Sequence, residues 1–245
     1  MNIRLAGCVV EVRHLYSYLE DYCSDYITDA PADFSIIVTQ ADIEFEREKV
    51  AREDEIEGIP TRHFSNAYLE TLSVYRKIAV RLLDYDTLLF HGSALSMDGE
   101  GYMFTAVSGT GKSTHARLWR EQFQERVVMV NDDKPLLKLT DRGILAYGTP
   151  WNGKHRLSTN ISVPLKAICI LSRDQSNHIA PVSVWEAYPI LLQQTYRPDD
   201  VLAMEKTLEL LDRLMAGVAL YALGCNMEPE AAMTAFRGMN GEDRE

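Results

Sequence analysis

The 245-residue sequence has no run of the roughly 18 to 20 apolar residues needed to cross a bilayer. Its first residues, MNIRLAGCVVEVRHLY, contain a short apolar stretch, but His14 and the acidic residues behind it break any secretory-leader pattern. A cytoplasmic protein with no membrane partner is predicted. Cysteine is scarce: Cys8, Cys23, Cys169 and Cys225 are scattered and form no C-x-x-C pair, which excludes a zinc knuckle and a dithiol redox motif and predicts buried thiols. Basic residues are in deficit, 25 Lys and Arg against 36 Asp and Glu, for a net charge of −11. Nucleic acid, whose binding is driven by Lys and Arg neutralising phosphates, is therefore excluded as a partner. Internal repeats and low-complexity linkers are absent as well.

What the chain does have is apolar residues, 46% of the total, enough for one large domain with a small appendage. Residues 3–12 alternate through Ile3, Leu5, Val9, Val10 and Val12 and, with FSIIVT at 34–39, predict strands of a small N-terminal sheet. Residues 42–57 are dense in charge and mostly acidic, the pattern of a solvated face. Ser65 caps a helix over 65–83, whose apolar residues, Leu69, Leu72, Tyr75, Ile78, Ala79 and Leu82, lie close to one face. We assign residues 1–84 to a small N-terminal α/β region and 85–245 to a second, larger domain.

In that domain, apolar runs at 87–97 and 102–107 flank Asp98-Gly99-Glu100-Gly101, a hairpin signal. A helix over 112–123 with Ala116, Trp119 and Phe123 inward, and a strand over 127–130, follow. Asp141-Arg142-Gly143 joins two further strands, 135–139 and 144–147, and 167–171 reads as another. The C-terminal part reads as mostly helical: 185–194, 201–220 and a last helix around 228–236. The fold class is thus α/β with α+β character.

Residues 106–114, AVSGTGKST, match the phosphate-loop pattern with Ala106 in place of its first glycine. Gly109 and Gly111 let the backbone N–H groups of Ser108, Gly109, Thr110 and Gly111 converge on phosphate oxygens at a helix N-terminus, where the dipole favours negative charge. Lys112 would reach the terminal phosphates and Ser113, followed by Thr114, would ligate a divalent metal. Twenty residues beyond Lys112, Asp132 and Asp133 end an apolar strand, where a carboxylate can hold the metal. Of two adjacent carboxylates, one can serve the metal while the other takes the proton of an attacking hydroxyl. Asn-Asp-Asp is also an ordinary turn opener. His91, lone in an apolar run, is of a kind that is more often a satisfied core histidine. The loop 148–156 carries Lys154, His155 and Arg156, whose charges suit a phosphorylated ligand or a surface turn.

His91-Gly92, the loop Ser108 to Ser113 and Asp132-Asp133 resemble, in order and spacing, the catalytic domain of the HPr kinase/phosphorylase family over roughly residues 85 to 175. That family shares its nucleotide-binding core with phosphoenolpyruvate carboxykinases. The resemblance implies a mixed-sheet phosphate-loop core entered through an antiparallel hairpin, with ATP and Mg2+ as cofactors. It implies Lys112 on the nucleotide phosphates, Ser113 on magnesium, Asp132 as general base, Asp133 as a metal-associated carboxylate, and His91 as the family's histidine ahead of the loop. The segments 148–156 and 225–229 depart from the family and mark a related branch, for which HPr itself is not the expected acceptor. The expected activity is transfer of a phosphoryl group to a hydroxyl of a protein, peptide or small molecule. Two alternatives stand beside it: a nucleotide-binding regulator without transfer, and a carboxykinase-like reaction with Lys154, His155 and Arg156 on a carboxylate. HPr kinases assemble, which leaves homo-oligomerisation open.

Overall fold

The computed structural model describes residues 1–241 and divides into two compact units, Met1–Leu82 and Leu83–Glu245. In the first, β1 (Asn2–Leu5) and β2 (Cys8–Arg13) form an antiparallel hairpin. After a short helix α1 (Tyr18–Tyr22), β3 (Phe34–Ile37) adds parallel to β2. The period of two along these strands buries Ile3, Leu5, Val10 and Val12. Two helices complete the unit, α2 (Gln40–Glu57) and α3 (Asn66–Leu82).

The acidic run belongs to α2, and its reading as a solvated face needs correction at two positions. Glu46 and Asp54 are buried, at 4% and 0% exposure. Glu46 accepts from Arg76 Nε of α3 at 2.6 Å, and Asp54 accepts from the backbone N–H and the guanidinium of Arg62. A carboxylate leaves water at tolerable cost only with such charged or N–H partners. Glu70, also fully buried, accepts from the backbone N–H groups of Leu15 and Tyr16.

The second unit is built on a nine-stranded mixed sheet. Its strands are β4 (Thr87–Leu89), β5 (Ser93–Met97), β6 (Glu100–Thr105), β7 (Val127–Asn131), β8 (Leu136–Thr140), β9 (Gly143–Tyr147), β10 (Ser162–Arg173), β11 (His178–Pro181) and β12 (Ala219–Cys225). The order is β4-β8-β9-β10-β6-β5-β7, with β12 alongside β10 and β11 outside β12. The long strand β10 pairs antiparallel with β9 through residues 162–164, then parallel with β6 and β12 through its remainder. A register shift between Leu165 and Ala167 marks the change.

Four helices cover the sheet: α4 (Lys112–Phe123), α5 (Val184–Gln194), α6 (Val201–Gly217) and α7 (Glu230–Asn240). Alternate residues of the central strands feed two separate cores. Met103 of β6 and Ile168 of β10 join Leu191 of α5 and Leu210, Leu211 and Leu214 of α6. Tyr102 and Phe104, with Ala167, Cys169 and Leu171, join Trp119 of α4 and Ala231, Ala232 and Ala235 of α7. The sheet is thus sandwiched between two helical layers.

Two expectations are corrected. Residues 87–97 are not one strand: β4 pairs with β8, the chain steps through 90–92, and β5 pairs with β6 and β7. The helix expected to reach residue 220 stops at Gly217, and Ala219–Cys225 instead adds as a strand beside β10. The segment ALYALGC has no β-branched residue and prolongs the apolar spacing of α6, so its helical reading yields only to the seven-residue pairing with β10. The edge strand β11 was likewise not foreseen. The four cysteines form no disulfide; Cys8, Cys23 and Cys169 are buried and Cys225 is half-buried. No helix among the described residues is long and apolar enough to cross a membrane.

Trp119 is the hub of the α4/α7 core. It is fully buried, with ring centroids of Tyr102, Phe104, Phe123 and Phe236 at 5.1, 5.3, 5.2 and 6.0 Å. Replacing Trp119 by Ala leaves a cavity that four rings cannot fill together, and should lower unfolding stability by about 3 to 5 kcal/mol in urea titrations.

Candidate functional site

Strand β6 ends at Thr105, α4 begins at Lys112, and the six residues between form the loop expected from the sequence. Gly109 and Gly111 take φ of 78° and 126°, a region that side chains disfavour. The expected convergence of four N–H groups is corrected at Thr110, whose N–H instead closes a turn onto the Val107 carbonyl at 3.2 Å. Arg173, at the end of β10, donates from Nη2 to the Gly109 carbonyl at 2.6 Å and from Nε to the Thr110 carbonyl at 3.3 Å. Because N–H and C=O of a trans peptide point in opposite directions, this anchoring leaves the Gly111 N–H directed away from Arg173. Nothing in the sequence signalled Arg173, which lies 61 positions after Lys112. Ser108 and Ser113 are exposed; Thr110 and Thr114 are half-buried.

Lys112 lies across the loop, donating to the Ala106 carbonyl at 3.2 Å. Burial lowers the pKa of its ammonium, while Asp133 and, more weakly, Asp132 raise it. The structure therefore brings Lys112 within the field of both carboxylates, Asp133 the stronger. An anionic ligand on the loop would supply the charge that burial denies this lysine.

The two aspartates follow β7 and differ in surroundings. Asp132 is 7% exposed and accepts the Ser93 hydroxyl at 2.7 Å. It lines a cleft of about 440 Å³ with Ser113, Thr114, Arg117, Arg120 and His155. Asp133 lies 3.3 Å from His91 Nε2 and 3.8 Å from Lys134 Nζ. Its carboxyl pKa is raised, first by burial and then by Asp132, against the lowering pull of Lys134 and Lys112. His91 is pushed down to about 3 by burial, Lys134 and Lys112. It is neutral at physiological pH, so its proximity to Asp133 is not an ion pair, and its ring hydrogen-bonds with the Gln194 side chain instead. The backbone N–H of His91 donates to Gln194 and that of Gly92 to Asp133, at 2.8 and 3.0 Å, which pins the histidine beside the acidic pair.

Asn131, fully buried, shapes this corner. Its side-chain oxygen accepts from the N–H groups of Asp133 and Lys134, and its amide donates to Thr149 O and Oγ1 and to Trp151 O. The loop between β9 and β10 is thereby held against the end of β7. Two backbone bonds extend the seam, Asp132 N–H to Leu157 O and Thr159 N–H to Val130 O. A Cβ at Gly148 would stand 2.0 Å from Thr159 O and 2.7 Å from Val130 O, so only glycine fits there. Of the three cations expected on this loop, His155 lines the Asp132 cleft. Lys154 and Arg156 share the same exposed turn but do not line that cleft.

A family model, described as SynChlorMet cassette protein ScmC, matches residues 61–208. The chain belongs to the ScmC family. Among curated proteins no sequence matches this ScmC-family chain. Among solved structures it is distantly similar to the Hpr(Ser) kinase/phosphatase from Coxiella burnetii, at 12% identity and a TM-score of 0.39, over 64% of this chain and 99% of that one.

Two measurements check the corner. Asn131→Ala should cost about 1 to 3 kcal/mol, because it strands buried partners, and should raise amide exchange at 149–151. The His91 imidazole should stay neutral in NMR titrations from pH 8 down to about 4, against an ordinary midpoint near 6.5. Since the unfolded chain binds that proton first, stability falls as pH drops below about 6.5, and His91→Gln should flatten this dependence.

Proposed function

We propose that the chain transfers the terminal phosphoryl group of a nucleoside triphosphate, with ATP the one implied by the resemblance, to a hydroxyl acceptor. The observation that carries this is that Asp132, at the end of β7, lines one cleft with Ser113 and Thr114, the residues that follow Lys112 of the phosphate loop. A phosphate loop alone would support binding; the acidic pair beside it supplies what transfer needs.

The loop N–H groups and Lys112 hold the phosphates. Ser113 and Asp133 are the residues that would hold magnesium. Among the described residues no three His, Cys, Asp or Glu side chains gather as a cage, and one carboxylate plus a hydroxyl fits an ion that keeps waters and phosphate oxygens as its other ligands. When bound, it offsets charge on the transferring oxygens. The resemblance implies Asp133 for this role, and His91 Nε2 lies 3.3 Å from its carboxylate.

Asp132 faces the cleft with Arg117, Arg120 and His155, where an acceptor can reach it, and Ser93 fixes one of its oxygens. It takes the acceptor's hydroxyl proton as the acceptor oxygen bonds to phosphorus and the bond from phosphorus to the leaving diphosphate breaks. His155 is the member of the cationic loop placed to meet the acceptor.

Labelled ATP with magnesium, offered to serine-bearing peptides and to lysate metabolites, tests the reading. Lys112→Ala should weaken ATP binding by about tenfold or more. Asp132→Asn should bind ATP within about twofold of wild type yet lose transfer by about 10²- to 10⁴-fold. Tight binding with transfer to nothing would assign the chain a regulatory role instead.

A further inference from the structure

Beside the phosphate loop, on the side away from Asp132, lies a second cleft of about 460 Å³. Three neighbouring parallel strands, β6, β10 and β12, point their carboxyl ends at it. Strand β6 contributes Gly109 to Gly111 of the loop that follows it, β10 contributes Leu171 and Arg173, and β12 contributes Cys225, with Asn226 and Met227 just beyond. Helix α4 closes the cleft with Thr114, His115 and Leu118. Ligands of α/β sheets bind outside the carboxyl ends of parallel strands, and in this mixed sheet that geometry occurs only around β10, flanked by its two parallel neighbours.

His115 carries the second observation. It is 2% exposed, and its Nε2 lies 3.1 Å from Trp119 Nε1. An indole N–H can only donate, so Nε2 must accept and the proton of the neutral ring sits on Nδ1. Burial drives the His115 pKa down to about 3, which keeps the ring neutral. Nδ1 is buried and has no hydrogen-bond partner among the described residues. His115 belongs to the wall of a cleft that adjoins the phosphate loop, and its partnerless donor, closed off in this structure, is suited to an acceptor that a ligand brings as the imidazole shifts toward it.

We propose that this cleft is the base subsite of the nucleotide, with the heterocycle lying against Leu118, Leu171, Cys225 and Met227 and taking the Nδ1–H of His115 on a ring nitrogen or carbonyl oxygen. The proposal rests on the nucleotide reading given above. The walls are apolar where a flat ring would lie, and Met227, 75% exposed, is a flexible side chain able to fold onto one face of it. The volume falls within the range of small-molecule pockets. Arg173, tied to the loop carbonyls on one side and lining the cleft on the other, stands at the junction of base and phosphates.

Calorimetry with magnesium-ATP and with magnesium-tripolyphosphate separates base from phosphates. Cys225→Trp fills the cleft from a half-buried position at the end of β12. The variant should lose ATP affinity by about tenfold or more and bind tripolyphosphate within about twofold of wild type. Unchanged affinity for both ligands would put the base elsewhere and overturn the proposal while leaving the nucleotide reading intact. If the wild type binds neither ligand, the nucleotide reading falls, and the subsite with it.

Should the variant lose both ligands alike, maleimide labelling of Cys225 in the wild-type chain at alkaline pH decides. ATP should slow modification by about tenfold and saturating tripolyphosphate by less than about twofold. Equal protection by the two, or protection by neither, overturns the subsite.

Discussion

The Asn131 carboxamide accepts two backbone N–H groups from the turn that carries Asp133 and donates to the loop that carries His155, all out of water. In pairing order β7 and β9 are four strands apart, yet this one side chain, with the backbone seam from Val130 to Thr159, ties the end of β7 to the connection leaving β9. Strand twist accumulated across the sheet, sharpened by the irregularities at Ala94 and Leu165, curls it until the two regions touch. The acidic pair, its hydroxyl partner on β5 and the cationic loop meet because the end of β7 bonds to the loop that follows β9. A buried amide with unmet donors would be costly, so the curl and the hydrogen bonds specify each other.

Strand β10 does the corresponding work on the other side of the loop. Its first residues hold the β8–β9 meander and its remainder holds the phosphate-loop strand and β12, so one continuous backbone sets the distance between the two ends of the site. Arg173, its last residue, reaches the loop carbonyls directly. The loop is thus restrained from outside as well as by its glycines.

How much of this could be read in advance depended on how local each signal is. The strand, loop and helix around residues 106–111 were legible because the signal lies in six consecutive residues and the elements on either side. The same is true of the hairpin entering the loop and of the inward face of α4. Strand β12 was not, since its apolar residues suit either period and only a partner strand fifty positions earlier decides between them. Glu46 and Asp54 lie within a charge run whose average character is exposed, and only Arg76 and Arg62 single them out for burial. Arg173 and His115 carry no motif: one matters through carbonyls more than sixty residues away, the other through the tautomer that a neighbouring indole imposes. The resemblance named aspartates and a histidine but said nothing of Ser93 or Asn131, which orient them.

Neutral histidines on both sides of the phosphate loop have a common physical logic. Under the proposed function a site gathering several negative phosphate charges would gain from cations that touch them, as Lys112 could, whereas a charged imidazole would have to shed its hydration on burial, at His91 also against the charges of Lys134 and Lys112. Burial removes that charge from both His91 and His115, leaving each ring as a directional donor rather than a source of field. The chain as a whole is strongly acidic, so under the proposed function the attraction of a phosphorylated ligand would rest on a few placed groups and backbone N–H dipoles, not on net charge. Those groups would act at close range because the seam between β7 and the loop after β9, and the anchoring of the phosphate loop by Arg173, limit their rearrangement.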